Sequence, residues 1–229
     1  MAGEAETARR RGFMVVCDGS NGAGKTTLIE ALRRHLEQLG YDVVVTREPG
    51  GTAIGERIRE LLLDRNLPQM CDLTELMLFG AARAQHLREK ILPALEAGKV
   101  VLCDRFDSAT VAFQQYARGL DPAKVASINA LALGGFRPDL YLILDLDPST
   151  GLERVRQRGA ALDRLEGEQL AFLARARDGF LQQAKAEPQR YKVLDASLPA
   201  EEVASRAVAL VAALAEGRRA VHGLGAADT

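Results

Sequence analysis

A glycine-rich run near the start of the chain carries the residue types that bind phosphate. Gly19, Gly24, Lys25 and Thr26 stand at the spacing Gly-x-x-x-x-Gly-Lys-Thr, directly after an apolar strand and directly before a helix. The glycines let backbone N–H groups turn toward a nucleotide's phosphates, and the helix dipole adds to the same anion site. Lys25 can reach the β- and γ-phosphates, and the Thr26 hydroxyl can hold Mg²⁺. The pattern predicts a nucleoside triphosphate site.

We assign the whole loop and the start of the following helix to ATP binding. The residues concerned are Gly19, Ser20, Asn21, Gly22, Ala23, Gly24, Lys25, Thr26 and Thr27. A phosphate-binding loop alone is compatible with kinases, GTPases, motor ATPases and transporters, so other segments must decide among them.

An apolar segment at Val100 ends in Asp104 and is followed by Arg105. A carboxylate at the end of a strand is the usual acidic partner of Mg²⁺ in phosphate-loop proteins. Arg105 adds a cation at the same edge of the sheet, where ligands bind in open α/β folds. The sequence alone is also compatible with a simple surface ion pair between Asp104 and Arg105.

Two further segments carry candidate ligand-binding residues. Arg47 begins a loop with two glycines and a proline, and its guanidinium suits a phosphate, although a turn with one solvated arginine fits as well. Phe79 and Arg83 are four residues apart on a predicted helix and therefore share a face. Phe79 could stack on a base while Arg83 donates to a base carbonyl; the alternative is an aromatic residue in the core and a solvated arginine.

An arginine-rich segment follows the fourth predicted strand and surrounds Gly159. Its members are Arg154, Arg156, Arg158 and Arg164. Such a segment could close over the phosphates and neutralise charge on the transferring group. A helix with a solvated basic face has the same composition.

Short apolar runs alternate with segments of helical period, which predicts an α/β fold with a parallel sheet covered on both faces. The predicted strands are Phe13–Cys17, Asp42–Thr46, Val100–Cys103, Leu140–Leu144 and Tyr191–Leu194. The predicted helices are Thr26–Leu39, Ala53–Leu63, Leu73–Ala97, Ser108–Tyr116, Pro122–Leu133, Ser149–Arg158, Glu168–Ala186 and Ala200–Ala215. Pro93 is expected to kink the third of these helices.

Length and composition set limits on the class of protein. The 229 residues suit one domain, which we place at residues 12–216 between disordered tails at 1–11 and 217–229, with a lid at about 157–168. A net charge of −1 gives no global field for nucleic acid, and no apolar run predicts a membrane span or signal peptide. Three cysteines without metal-ligand spacing indicate a reducing cytoplasm. No function is assigned to the three histidines.

Taken together, these segments resemble bacterial thymidylate kinases from about Phe13 to Ala215. The motifs that carry the resemblance are Thr46–Gly51, Phe79–Arg83, Asp104-Arg105, Phe136–Asp139 and Asp163–Glu166. The resemblance implies the phosphate-loop nucleoside-monophosphate-kinase fold, with a five-stranded parallel sheet, helices on both faces and an arginine-rich lid. It also implies phosphorylation of dTMP to dTDP with ATP and Mg²⁺, for dTTP biosynthesis, by a homodimer.

The resemblance also implies roles for single residues at the acceptor. Arg47 and Arg105 would grip the acceptor's monophosphate. Phe79 would stack on the thymine and Arg83 would meet its carbonyl oxygen. Phe113 would fill the space that a ribose 2′-hydroxyl needs.

Other roles concern the acceptor's surroundings, the metal and the lid. Thr110 and Gln114 would belong to the acceptor site, and Asp18 would lie near Mg²⁺ or the sugar 3′-hydroxyl. Arg154 would lie near the adenine. The catalytic residues implied are Lys25, Arg105, Arg158 and Arg164, and the metal ligands implied are Thr26, Asp104 and Asp18.

For the homodimer, apolar residues on the helix Leu73–Ala97 extend beyond one stripe. These residues are Leu76, Met77, Leu78, Leu87, Ile91 and Leu92.

The sequence departs from the family pattern beside the expected base pocket. Asn21 stands where an acidic residue is common, Ala109 replaces a serine, and Gln114–Gly119 replaces a more glycine-rich stretch. A kinase of another or modified pyrimidine monophosphate therefore stays an alternative, as does a non-catalytic relative. A GTPase-like switch would need an Asn-Lys-x-Asp motif, which the chain lacks.

Overall fold

The computed structural model describes residues 12–67, 69–157 and 169–223, with side chains up to residue 218. Its centre is one parallel sheet of five strands in the order β2-β3-β1-β4-β5. The strands are β1 Met14–Gly19, β2 Val43–Arg47, β3 Val100–Asp104, β4 Leu140–Asp145 and β5 Tyr191–Asp195. Every predicted strand is present, and the prediction of a parallel five-stranded sheet is confirmed.

Helices connect the strands and cover the sheet. They are α1 Lys25–Gln38, α2 Ala53–Leu63, α3 Asp72–His86, α4 Leu92–Glu96, α5 Asp107–Thr110, α6 Pro122–Leu133, α7 Pro148–Gln157, α8 Leu170–Ala186 and α9 Ala200–Gly223. Two π-helical turns, Leu87–Ile91 and Val111–Ala117, link α3 to α4 and extend α5. No helix among the described residues is long and apolar enough to cross a bilayer.

The apolar residues of β1 are divided between two cores because successive side chains of a strand point to opposite faces. Val15 and Cys17 pack into the core beneath α1 and α9. Met14 and Val16 pack into the core on the other face, with residues of α4 and α8. Both faces of the sheet are therefore buried, which confirms the predicted α/β architecture and explains the unbroken apolar run of the strand.

The carboxyl ends of three strands bring the predicted chemistry to one edge of the sheet. Cys17 of β1 lies beside Asp104 at the end of β3, and Arg47 at the end of β2 is paired with Asp104 from the other side. Segments that are distant in sequence therefore meet where ligands bind in open parallel sheets.

The helix predicted to kink at Pro93 contains a widened turn just before this residue. The helix runs through Leu87–Ile91 with π-type bonding, and the Leu92 N–H donates to the Leu87 carbonyl. Proline has no N–H to offer the carbonyl four residues before it, and π turns accommodate such gaps in the helical ladder. The prediction of a single α-helix over Leu73–Ala97 is wrong in this turn.

The last helix extends into the segment predicted as a C-terminal tail. α9 continues to Gly223, beyond the predicted end of the domain at residue 216. Arg218 explains the extension, because its guanidinium donates to the Gly12 carbonyl at 2.9 Å and to Asp139 Oδ1 at 2.6 Å. Residues 1–11 and 224–229 and most of the predicted lid lie outside the described residues.

Candidate active site

A cleft of about 220 Å³ opens at the carboxyl edge of the sheet. It runs from the glycine-rich loop to the face of α3 that carries Arg83. The predicted site residues that line it are Asn21, Gly22, Gly24, Lys25, Thr26, Arg47, Phe79, Arg83, Asp104, Arg105, Thr110, Phe113 and Gln114. One cavity thus contains both the predicted phosphate-binding residues and the predicted base-binding residues.

The glycine-rich loop adopts a backbone that requires glycine. Gly22 has φ 74° and an added Cβ would lie 2.2 Å from the Gly151 carbonyl oxygen, so a side chain there is excluded. Gly24 has φ 93°, and a Cβ there would point into open space, as expected for a cradle that leaves room for phosphate. The Lys25 Nζ donates to the Ser20 carbonyl at 2.9 Å and so curls over the loop.

Positive charge is concentrated at this end of the cleft. Burial and the nearby Arg105 guanidinium lower the pKa of Lys25 to about 8. A bound phosphate would counter the mutual repulsion of these two cations. The site is therefore electrostatically suited to an anion.

Arg105 is held across the mouth of the loop. It is the one described residue other than glycine with positive φ, at 66°, and its N–H donates to the Cys17 carbonyl at 3.0 Å. Its Nη1 donates to Asp18 Oδ1 at 2.8 Å and to the Gly19 carbonyl at 2.9 Å. Arg105 therefore pairs with Asp18 of β1, and the alternative of a simple surface pair with Asp104 is wrong.

Asp18 lies beneath the loop, away from the lining of the cleft. Its side chain is fully buried and accepts hydrogen bonds from the Ser108 hydroxyl at 2.8 Å and from the Gly19 N–H at 3.0 Å, besides Arg105. Burial raises the pKa of Asp18, and the charges of Arg105 and Lys25 oppose that rise. With both oxygens engaged, Asp18 is better placed to position Arg105 than to bind a metal.

Thr26 and Asp104 both line the cleft next to the loop. The described residues contain no group of three or more His, Cys, Asp or Glu side chains arranged to hold a metal. Mg²⁺ does not need such a cage, because it usually takes one or two protein oxygens and completes its shell with water and substrate phosphates. Thr26 and Asp104 fit that ligand set.

At the other end of the cleft, Arg83 is buried and held by a set of acceptors. Its Nε donates to Glu48 Oε2 at 2.9 Å and its Nη1 to Asn129 Oδ1 at 2.7 Å. Its Nη2 donates to the Phe106 carbonyl at 3.1 Å and to Thr110 Oγ1 at 2.9 Å. With a relative exposure of 1%, Arg83 is not the solvated residue of the alternative interpretation.

The π-helical turn Val111–Ala117 supplies the side wall. Phe113 faces the cleft, with the Arg105 guanidinium 5.0 Å from the centre of its ring. Gln114 also lines the cleft, and its Nε2 donates to the buried Glu75 carboxylate at 2.9 Å. Both predicted acceptor-site residues are thus next to the predicted base pocket.

Tyr116 and Ala109, two positions at which the sequence departs from the family pattern, lie in different surroundings. Helix α8 approaches the π-helical turn at Gly179, where an added Cβ would lie 2.9 Å from the Ala112 Cα and from Tyr116 Cβ. Tyr116 therefore packs against α8 rather than in the cleft. Ala109, in contrast, lines the cleft directly.

Arg47 reaches the cleft from an exposed position. Its Nη2 donates to Glu56 Oε2 at 2.9 Å, and Glu56 Oε1 accepts from the Gly51 N–H at 2.8 Å. Glu56 thus braces both Arg47 and the loop that carries it.

Some predicted residues lie elsewhere. Gly19, Ser20, Ala23 and Thr27 belong to the loop and helix α1 without lining the cleft. Arg154 lies on α7, and its Nη1 donates to the Ala196 carbonyl at 3.2 Å, just beyond β5. The predicted catalytic residues Arg158 and Arg164 lie outside the described residues.

Three buried polar residues around Arg83 were not predicted as site residues, namely Glu48, His86 and Asn129. Glu48 follows Arg47 in the same loop, and His86 lies three residues after Arg83, on the same face of α3. The sequence positions of Glu48 and His86 could therefore have been used to predict that both residues belong to the site. Asn129 comes from α6, and nothing in its sequence surroundings indicates the contact.

Comparisons with known proteins agree with this geometry. A family model described as thymidylate kinase matches residues 17–207. The thymidylate kinase of Geobacillus thermodenitrificans is 47% identical over 209 residues, covering 91% of this chain and 93% of that protein. The thymidylate kinase of Desulfosudis oleivorans is 49% identical over 203 residues, covering 86% and 95%.

A solved structure shows the same fold. The crystal structure of thymidylate kinase from Ehrlichia chaffeensis superposes with a TM-score of 0.72 at 31% identity, covering 88% of this chain and 98% of that one. Family model, relatives and structure agree over nearly the whole chain. The chain therefore belongs to the thymidylate kinase family and is a nucleoside monophosphate kinase, an enzyme that moves a phosphoryl group from a nucleotide donor to a nucleotide acceptor.

Proposed function

We propose that this enzyme transfers the γ-phosphoryl group of ATP to dTMP, giving dTDP, with Mg²⁺ at the phosphates. The observation that carries the proposal is the single cleft with a glycine-rich phosphate cradle at one end and the buried, fixed Arg83 at the other. A phosphoryl donor and acceptor must lie end to end for in-line transfer. The cleft suits such a pair, because one end carries a phosphate cradle and the other end carries a group that can read a base.

At the donor end, the loop N–H groups and Lys25 bind the β- and γ-phosphates. Phosphoryl transfer asks a protein for positioning and for stabilisation of charge rather than for covalent catalysis. Lys25 and Arg105 supply positive charge from two sides of the cleft. Arg158 and Arg164, from the lid, would add charge to the transferring group.

Thr26 and Asp104 would hold Mg²⁺. When bound there, Mg²⁺ would supply positive charge to stabilise the negative charge of the phosphates during transfer. Asp104 comes from the end of β3, and Thr26 comes from the first turn of α1, so two rigid elements fix the ligands.

At the acceptor end, Arg47 and Arg105 would bind the monophosphate. Phe79 would stack on the thymine and Arg83 would donate to its carbonyl oxygen, while Thr110 and Gln114 complete the pocket. Of the five N–H groups of Arg83, four donate to protein atoms, which leaves one on Nη1 for a ligand. A carbonyl oxygen of the base is an acceptor that such a group can bind.

The direct test is product identification. The purified full chain, given ATP, MgCl₂ and dTMP, should form dTDP and ADP in equal amounts, detected by anion-exchange chromatography. Replacing MgCl₂ by excess EDTA should abolish the reaction. Hydrolysis of ATP without dTDP formation would contradict the proposal, and so would turnover of a 5-modified pyrimidine monophosphate with none of dTMP.

We further propose that the enzyme is a homodimer through the helices α2, α3 and α6. Helix α3 packs against both others, and each of the three exposes apolar side chains. These side chains are Ile54, Leu61, Leu73, Met77 and Leu131. Of the residues predicted for the interface, Leu76, Leu87 and Ile91 are buried in the chain's own core and cannot contact a partner; Met77, 55% exposed, can.

Light scattering of the full chain at micromolar concentration should give twice the mass of one chain. Met77→Glu places a charge in the proposed interface and should shift the protein toward the monomer. Lys185→Glu, at an exposed position of α8 outside the three helices, is the control and should leave the mass unchanged. A monomeric wild-type protein with full activity would contradict the dimer.

A further inference from the structure

Glu48 lies between two residues of helix α3. Its Oε2 accepts from Arg83 Nε at 2.9 Å, and its Oε1 is 3.0 Å from His86 Nδ1. Arg83 and His86 are three residues apart, so they lie on one face of the helix. All three side chains have a relative exposure of 5% or less. The carboxylate is thus held at both oxygens, away from water.

His86 is itself held on its far side. Its Nε2 is 2.7 Å from Thr46 Oγ1 of β2. Since Nδ1 faces a carboxylate, it carries the hydrogen, and in the neutral ring Nε2 then accepts from the Thr46 hydroxyl. Gly51 covers this pair, because an added Cβ would lie 2.6 Å from His86 Nε2. The chain from Thr46 through His86 to Glu48 therefore ties α3 to the end of β2.

The hydrogen bond from Arg83 Nε to Glu48 fixes the direction of the Arg83 fork, the pair of nitrogens Nη1 and Nη2 with their N–H groups. A guanidinium is planar and rigid, so a partner at Nε orients the N–H groups on Nη1 and Nη2 together. Glu48 is the only carboxylate within ion-pair distance of Arg83 in the part of the chain that the structure describes. The other hydrogen-bond partners are the neutral Asn129, Phe106 carbonyl and Thr110.

We propose that Glu48 and His86 are positioning residues that set the base selectivity of the acceptor site by holding the Arg83 fork. The inference rests on the proposed role of Arg83 as the donor to the thymine carbonyl. An N–H held in one direction favours a base with a carbonyl at that point and disfavours a base with an amino group there. A guanidinium free to turn can move away from the amino group and therefore discriminates less between the two. Rigidity at Arg83 is thus the source of discrimination between thymine and cytosine.

The first experiment uses Glu48→Gln, which keeps the shape and removes the charge. We expect KM for dTMP to rise by about 10-fold and the ratio of kcat/KM for dTMP to that for dCMP to fall by at least about 10-fold. The KM for ATP should change less than about twofold, because the donor end is untouched. A residue that merely stabilised the fold would lower the melting temperature without changing the acceptor ratio.

The second experiment is a matched pair at His86. In His86→Asn the amide nitrogen lies near the position of Nδ1 and can still donate to Glu48. In His86→Gln the longer side chain places its amide near Nε2, where it meets Thr46. Both variants lose the ring, so a packing role predicts similar effects. The inference predicts that Asn keeps the dTMP to dCMP ratio within about threefold and that Gln lowers it by about 10-fold.

Arg83→Gln separates this inference from the proposal on which it rests. If Arg83→Gln leaves the dTMP to dCMP ratio unchanged, the proposed role of Arg83 is wrong. If it lowers the ratio while folded Glu48→Gln and His86→Gln do not, Arg83 reads the base and the inference about positioning is overturned. Circular dichroism establishes folding, and if both of these variants fail to fold, the pair is structural and the inference is likewise overturned.

Discussion

The two ends of the cleft are built in different ways. At the phosphate end, one continuous segment forms the cradle through backbone geometry at Gly22 and Gly24 and carries Lys25, while Asp104 and Arg105 are added from the end of β3. The base end is assembled around Arg83 from acceptors on separate elements: side chains of the loop after β2, helix α5 and helix α6, and a backbone carbonyl of the segment after β3. A local motif suffices to form a phosphate cradle, whereas recognition of one base needs groups fixed from several directions.

This difference predicts that the two ends of the cleft affect different kinetic quantities. Every nucleotide presents the same phosphates, so changes at the phosphate end should lower the rate with all acceptors alike. The base and the sugar distinguish one acceptor from another, so changes at the base end should alter the ratios between acceptors. Substitutions at the two ends can therefore be ranked and tested against each other.

The largest effect is expected at Lys25. Lys25→Ala should lower kcat by about 10⁴-fold with every acceptor, because it removes charge beside the transferring phosphoryl group. Lys124→Ala, at an exposed site on α6, serves as the control for loss of a lysine. A steady-state assay that finds more than a tenth of wild-type kcat in Lys25→Ala would show that Lys25 is not a phosphate ligand.

The lid arginines come next. We expect Arg158→Ala or Arg164→Ala to lower kcat by about 10³-fold while KM for both substrates changes little, since a transition-state charge is lost. Arg156→Ala is the matched control, because Arg156 is exposed on α7. If both lid variants keep wild-type kcat, the segment is only a solvated basic face.

A smaller and selective effect is expected at Phe113. Removing its ring in Phe113→Ala should open space beside the sugar and reduce discrimination against the ribonucleotide by about 10-fold, with some loss of rate. Phe172 packs against the Phe113 ring at 6.2 Å between centres but does not line the cleft, so Phe172→Ala tests the loss of packing alone. Equal changes in both variants would contradict a direct role for Phe113.

The smallest effect is expected at the brace of Arg47. The Arg47–Glu56 pair is about half exposed, and such pairs contribute little. Glu56→Ala should raise KM about two- to fivefold, equally for dTMP and dCMP, because the role proposed for Arg47 is to bind the monophosphate and not the base. Glu60→Ala on the same helix is the control. A change in the ratio between the two acceptors would mean that the brace extends to the base.

The same difference explains how much could be predicted from the sequence. The phosphate loop was predictable because its glycines, lysine and threonine are adjacent, and the sheet was predictable because each strand is a short apolar run. Arg83 was recognised as a candidate from its spacing to Phe79, but its burial was left open. That burial depends on Glu48 and Asn129, which lie 35 and 46 residues away along the chain.

Other differences between the predicted and the observed helices have physical causes that the hydrophobic periodicity of the sequence does not reveal. The π-helical turns change the hydrogen-bond pattern within segments that still have helical period, so the pattern could not distinguish them from α-helix. The extension of α9 depends on Arg218, whose partners Gly12 and Asp139 come from the other parts of the chain. The composition of residues 217–229 alone favoured a disordered tail.

Selection of thymine at the base end can be measured in the acceptor profile of the wild-type enzyme. At saturating ATP, kcat/KM should be highest for dTMP among natural monophosphates. It should be lower for dUMP by the ~1–3 kcal/mol of one methyl group, and lower still for dCMP, which presents an amino group where thymine has a carbonyl. A preference for dCMP or for a purine monophosphate over dTMP would contradict the account of the base end.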